Sequence, residues 1–253
     1  MKKFYLILSC FFFLIFNLQP GYCFLDKVFK KGDPFERGSE AYDSGDYATA
    51  IKEWKSLAEE GNTAAQWNLY LSYQKKNKYE KADYWLNQAA KNGYERAQCR
   101  VARIYQNKEK YRKAVYWYTK AAQKGNSWAQ YCLGSIYKKG RGVLQDLEKT
   151  RQLYTQAALQ GESMAQRDLG EMFYEGEGGP IDFIQAYAWW TLFATYDENT
   201  HEFAEDLRDI YRSKAQDLID SKGTNKKMTP EEINKAKNLT KELYSKIYGE
   251  LTP

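Results

Sequence analysis

The sequence predicts an all-α fold: a right-handed α-α superhelix (solenoid) of about five helix-turn-helix repeats, closed by a C-terminal helical cap. Three observations predict it. The pair Ala-Gln recurs at Ala65-Gln66, Ala97-Gln98, Ala129-Gln130 and Ala165-Gln166, at spacings of 32, 32 and 36 residues. Each pair opens a stretch whose first, fifth, eighth and ninth positions are mostly apolar or aromatic, which is helical periodicity. The chain of 253 residues has only five prolines, so few helices need be interrupted. Units of this length cannot bury their apolar faces alone and must stack on their neighbours.

The N-terminus reads as an address. Met1-Lys2-Lys3 precedes a mostly apolar run from Phe4 to Leu18, and Gly21 and Cys23 supply small residues beyond it. This pattern is that of a signal peptide occupying residues 1–23 and cut after Cys23. The run is shorter than the ~20 apolar residues of a membrane span. The expected location is therefore periplasmic or secreted, with membrane contact only through the signal peptide during export. Processing removes two lysines and lowers the net charge from +5 to +3. That near balance argues against nucleic acid as a partner.

The repeats fill residues 33–198. Asp33-Pro34-Phe35-Glu36 reads as N-cap, N1 proline and capping-box glutamate, a firm start for the first helix. The first helices of the four clearer repeats are AQWNLYLSY (65–73), AQCRVARIY (97–105), AQYCLGSIY (129–137) and AQRDLGEMF (165–173), with PFERGSEAY (34–42) as a looser first copy. Second helices run over 47–61, 79–93, 111–125, 147–161 and 183–197. In each, a small residue (Ala50, Ala82, Ala114, Thr150, Ala186) lets the paired helix approach closely. Four residues later a bulky one (Trp54, Leu86, Tyr118, Tyr154, Trp190) fills the space. Gly61, Gly93, Gly125 and Gly161 are placed as left-handed C′ residues, and Asn62, Asn126 and Ser163 as N-caps of the next helix in each case. Aromatic residues recurring in frame (Tyr42, Tyr73, Tyr105, Tyr137, Phe173, and Tyr47, Tyr79, Tyr111, Phe183) are expected in the core.

The links within repeats differ in length. QKKNK (74–78) and QNKEK (106–110) are tight, whereas KKGRGVLQD (138–146) and EGEGGPID (175–182) are longer. Ala129, Leu133, Gly134, Tyr137, Gly140, Gly142, Val143, Asp146, Ala157, Ala158 and Gly161 together resemble the Sel-one-like repeat (SLR) family, which is related to tetratricopeptide repeats. The resemblance covers roughly residues 34–245 and extends to QAYAWWTLFA (185–194) and to the tail at 228–243. Tyr70 and Ala102 depart from it, standing where glycine is expected. It implies a helical solenoid, and for secreted bacterial members an adaptor role in envelope signalling or host contact.

Residues 199–253 are read as capping helices. One runs over 201–220 with Phe203, Leu207, Ile210 and Tyr211 on its apolar side. After the linker at 221–227, Thr229-Pro230-Glu231-Glu232 forms a capping box for a helix carrying Ile233, Ala236, Leu239, Leu243 and Ile247.

Candidate chemistry is sparse. His201 is the only histidine, which excludes most His-based metal sites, and no nucleophile with a spaced base accompanies it. The glycines at 140–142 and 176–179 lack the lysine of a P-loop and read as turns. Cys99 and Cys132 are the cysteines that survive processing. Equivalent helices of adjacent repeats lie ~8–10 Å apart, against ~7 Å or less between the Cα atoms of a disulfide, so free thiols are favoured over a bond. No cofactor or metal is expected.

What the repeat does not require is a set of aromatic and charged residues on one face of the first helices: Trp67, Leu71 and Gln74; Arg96, Cys99, Arg103 and Gln106; Trp128, Tyr131, Ser135 and Lys138; Met164, Arg167, Glu171 and Tyr174; and the acids Glu36 and Glu40. Trp, Tyr and Arg are the residues of protein-recognition hot spots. The favoured reading is a non-enzymatic protein-interaction scaffold that holds a partner segment in a groove lined by Trp67, Leu71, Gln74, Arg96, Arg103, Trp128, Tyr131 and Lys138. The alternatives are a cell-wall glycan-binding protein, or a β-lactam-binding or hydrolysing enzyme, as described for cysteine-rich relatives whose cysteine pattern this chain lacks.

Overall fold

The computed structural model describes residues 32–195, 202–220 and 228–249, with side chains omitted for 202–208. The proposed signal peptide, His201, and the side chains of Phe203 and Leu207 lie outside the described residues. Those that are described form twelve α-helices and no strand. The chain divides into two compact units at Asn92/Gly93.

The first unit holds α1 (Pro34–Asp43), α2 (Tyr47–Glu59), α3 (Thr63–Lys75) and α4 (Tyr79–Lys91). The second holds α5 (Glu95–Asn107), α6 (Tyr111–Gln123), α7 (Ser127–Lys139), α8 (Leu147–Ala158), α9 (Ser163–Glu175), α10 (Phe183–Thr195), α11 (Glu202–Asp220) and α12 (Pro230–Tyr248). Within each unit the helices pack in sequence order, while both α11 and α12 pack on α10.

Helix ends obey the expected chemistry with one shift. Gly61, Gly93, Gly125 and Gly161 take φ between +83° and +96° just past their helices. The side chains of Asn62 and Asn126 accept from the backbone N–H groups of Ala65 and Ala129, at 3.0 and 2.8 Å. Ser163, expected as a cap, is the first helical residue instead, and Glu162 holds the N-cap position without a side-chain cap bond. It stands three residues before Ala165, as Asn62 and Asn126 stand before Ala65 and Ala129.

Burial holds the Glu162 carboxyl above its ordinary pKa. The folded chain therefore binds this proton more tightly than the unfolded chain, and the associated stability falls as pH rises above the usual carboxylate range. Glu162→Asn should restore the cap found in the sister repeats and stabilise by about 1 kcal/mol at neutral pH. In urea melts the gain should shrink at acidic pH, where the glutamate is protonated. A destabilised Glu162→Asn chain at neutral pH would contradict the cap assignment.

Paired helices meet through an inverse size relation. Ala50, Ala82, Ala114, Thr150 and Ala186 are fully buried, as are the bulky residues four positions on. Opposite those bulky residues stand Gly38, Tyr70, Ala102, Gly134 and Gly170. A Cβ at Gly38, Gly134 or Gly170 would lie 2.3–2.8 Å from the rings of Trp54, Tyr154 and Trp190 respectively. Where the glycine is replaced by Tyr70, the facing residue shrinks to Leu86. The departure at Tyr70 thus redistributes one volume between two helices, as close packing requires, whereas Ala102 faces a tyrosine, Tyr118, as Gly134 does.

The Ala-Gln pair has a polar purpose that sequence reading missed. Gln66, Gln130 and Gln166 are buried, and their side-chain amides donate to the carbonyls of Ala58, Ala122 and Ala158 at the end of the preceding helix. Those carbonyls belong to the last turn, and each also accepts from the backbone N–H of Gly61, Gly125 or Gly161 just past the helix, so the glutamine supplies a second donor. The Gln66 and Gln130 carbonyls in turn accept from Asn92 and Gln160. At the last copy, the Gln166 amide also donates to the Tyr248 hydroxyl on α12 at 2.8 Å.

The in-frame aromatics are less buried than expected. Tyr42, Tyr73, Tyr105, Tyr137 and Phe173 are half-buried, and Tyr79 is mainly exposed. A cation from the adjoining helix covers four of them: Lys81 over Tyr73, Lys113 over Tyr105, Lys149 over Tyr137 and Arg151 over Phe173, at 4.2–5.8 Å. The helix pair closes on itself and leaves this ring edge to a snorkelling side chain.

The two long links pack backwards. A Cβ at Gly142 would lie 2.6 Å from Tyr111 Cβ, and one at Gly178 2.2 Å from the Leu147 carbonyl oxygen. Arg151 secures the second link, its guanidinium donating to the carbonyls of Glu177 (2.9 Å), Met172 (3.0 Å) and Pro180 (3.3 Å). These glycines are packing requirements of turns.

At the C-terminus, α11 buries Tyr211, Ala215 and Leu218. Ile210, expected on that face, is exposed, because the helix is rotated to bring Tyr211 against Trp190 and Phe193, at 5.9 and 5.4 Å. The capping box on α12 is complete: Thr229 Oγ1 accepts from Glu232 N–H at 3.3 Å, and Glu232 Oε2 accepts from Thr229 N–H at 2.7 Å. Ala236 and Leu243 are buried, with Ile233, Leu239 and Ile247 packed beside them.

Candidate partner-binding surface

The expected groove residues fall in both units. In the first, Trp67, Leu71 and Gln74 lie on α3 and are each half-buried, the Trp67 ring 5.0 Å from that of Tyr70. In the second, Arg96 and Arg103 on α5 are exposed, and Trp128 on α7 is 40% exposed. Tyr131 and Lys138 are half-buried and already engaged within the fold. Cys99, grouped with this face by spacing, is buried in the core with Cys132 and Tyr118. One step of the helical wheel separates it from the open surface, and the packing of α7 takes that step.

In the second unit a strip of aromatic and charged contacts runs from α7 to α11, underlain by the buried rings of Tyr154, Trp190 and Tyr211. Trp128 lies 5.6 Å from Tyr131, whose ring stacks on Tyr154 at 5.3 Å with planes 28° apart. The Tyr131 hydroxyl donates to Asp168 Oδ2 at 3.1 Å, and Arg167 Nε donates to Asp168 Oδ1 at 2.7 Å. Burial, and after it the Asp168 carboxylate, raises the Tyr131 pKa well above the ordinary tyrosine value. Burial opposes the charge of Arg167, but the Asp168 carboxylate outweighs it and holds the guanidinium more firmly protonated. Further along, Lys214 pairs with Glu171 and lies over the rings of Tyr211 and Trp190, at 4.7 and 5.4 Å. A small cavity of about 100 Å³ is lined by Tyr174, Trp190, Lys214, Asp217 and Leu218. Lys138 points elsewhere, pairing with Glu177 at 2.5 Å.

The strip's polar groups bond one another, and its aromatic rings are held in fixed orientations. Cys99 and Cys132 are free, and burial pushes each thiol up to about 12, so neither is a thiolate near neutrality. Two Ser-x-x-Lys spacings that sequence reading passed over, Ser72–Lys75 and Ser135–Lys138, form no nucleophile pair. The Ser72 hydroxyl is buried and donates to the Asn68 carbonyl at 2.9 Å, and Lys138 is paired with Glu177. Among the described residues, no group of three or more His, Cys, Asp or Glu is placed to hold a metal ion.

Helix pairs repeated at a 32–36-residue period, with buried small-to-large contacts and an aromatic strip on the first helices, define an α-helical repeat protein of the solenoid class. The Sel1 repeat family model matches residues 63–94, 96–126, 129–162 and 163–195, and the chain belongs to that family. Among solved structures, a protective antigen present in uropathogenic Escherichia coli strains and displaying an SLR fold is similar at 30% identity, with a TM-score of 0.66 over 85% of this chain. The match spans 45% of that antigen's length. A Sel1 repeat protein from Oxalobacter formigenes shares the fold at 21% identity and a TM-score of 0.53, covering 83% of this chain and 98% of that one. No curated protein sequence matches the chain.

Proposed function

We propose that the chain is a non-enzymatic adaptor of the bacterial envelope or the extracellular space, and that the open face of the first helices of its second unit binds a segment of a partner protein. Sel1 repeat proteins are generally protein-interaction scaffolds. The observation that carries the reading to this face is Trp128, a large ring 40% exposed beside Tyr131, whose own position is held by Tyr154 and Asp168. An exposed indole on a rigid support, with Arg96 and Arg103 exposed on the preceding first helix, has the composition of a hot spot.

Trp128→Ala combined with Arg103→Ala should abolish the species cross-linked to the protein in its native cell, while helicity and melting temperature stay close to those of the parent. An unchanged cross-linking pattern would remove this face from partner binding. A large fall in melting temperature would show that the residues serve packing. Retention on peptidoglycan, lost in the same variant, would assign the face to a glycan instead.

A further inference from the structure

The near-neutral charge of the whole chain hides a strong local imbalance. Residues 93–141 carry twelve Lys and Arg against two acids, Glu95 and Glu109, whereas residues 142–195 carry three cations against eight acids. Part of this charge gathers on one edge of the second unit. The α5–α6 turn and the start of α6 bring Lys108, Lys110 and Arg112, all exposed. The link after α7 brings Lys139 and Arg141, also exposed. The two stretches are neighbours: the Arg141 guanidinium lies 5.5 Å from the Tyr111 ring centroid, and Gly142 packs directly on the Tyr111–Arg112 backbone. From the same link projects Leu144, which is 90% exposed.

From this edge we infer a peripheral docking site for an anionic lipid surface, with the cations meeting headgroup phosphates and Leu144 entering the acyl boundary. The charge sign selects a polyanion. The leucine beside the cations favours a membrane over an acidic protein, because an anionic bilayer meets the cations with its headgroups and the leucine with its acyl boundary in one approach. Polybasic patches gain binding free energy roughly in proportion to the number of cations within a Debye length of the headgroups, and one apolar insertion adds a second signal. Attachment through exposed cations and one leucine is reversible and salt-sensitive. The edge is distinct from the aromatic strip, so an adaptor attached this way keeps the strip free for its partner.

The test is co-sedimentation of the chain from Phe24 onward with vesicles of phosphatidylcholine, with and without phosphatidylglycerol. Binding should require phosphatidylglycerol and weaken as NaCl rises. Lys110→Glu with Lys139→Glu should reduce it by about tenfold or more. Leu144→Ser should reduce it severalfold while preserving the salt dependence. All variants should retain the parent circular dichroism, since the three side chains are exposed. The proposal is overturned by absence of binding to the anionic vesicles, by equal binding to phosphatidylcholine alone, or by variants that bind as the parent does. Capture of soluble polyglutamate in place of vesicles would assign the edge to an acidic protein.

Discussion

Trp190→Ala should lower the stability of the chain by about 3–5 kcal/mol, read as a shift in the urea midpoint at unchanged slope. The indole is 1% exposed and is enclosed by Gly170 on α9, Tyr174 at 5.3 Å and Tyr211 at 5.9 Å. Truncation removes its contacts with two neighbouring helices at once, and neither can fill the space, since Tyr174 and Tyr211 are themselves packed against Phe183 and Phe193. The cost is one of volume: the buried Trp190 N–H makes no hydrogen bond, so no polar partner is orphaned by its loss. Trp190→Phe should accordingly be much milder. A loss below about 1 kcal/mol for the alanine variant would mean that α10 and α11 do not share this core.

Gly178→Ala is expected to cost about 3 kcal/mol despite adding a single carbon. Its Cβ would lie 2.2 Å from the Leu147 carbonyl oxygen and 3.0 Å from the Glu148 nitrogen, both of them backbone atoms at the start of α8. Neither can rotate away, unlike a side chain. The residue also has φ +70°, where a Cβ is disfavoured even in open space. Gly125→Ala is the control, because it shares the left-handed backbone at φ +91° but would meet nothing within 4 Å. It should cost only the backbone share, about 1 kcal/mol. Equal costs at the two sites would show that the link from Glu175 to Asp182 does not press on α8.

Much of this protein was legible because packing writes itself at a fixed period. The small residues at Ala50, Ala82, Ala114, Thr150 and Ala186 and their bulky partners were readable as helix contacts, since each recurs where a neighbouring helix must come close. The glycines after α2, α4, α6 and α8 were readable from local stereochemistry alone. The charge imbalance of residues 93–141 was equally present in the sequence, but a whole-chain average offsets half of it, +10 against −5, with the acids of residues 142–195.

The recurrence of Gln66, Gln130 and Gln166 was visible, but their purpose was not. Their partners are the backbone carbonyls of Ala58, Ala122 and Ala158, and a carbonyl leaves no trace in a residue name. The open face shows the same limit. Spacing placed Cys99, Trp128, Tyr131 and Lys138 on one side of their helices. Only the packed structure buried Cys99, tied Tyr131 to Asp168 thirty-seven residues on, and turned Lys138 to Glu177. By itself the sequence determined which residues repeat, and therefore the helix pairs and their core, because local propensity and period-long packing act on every copy alike. The tertiary structure alone decided which of the remaining side chains stay available to a partner. Availability depends on neighbours that differ from copy to copy, and a periodic signal averages such differences away.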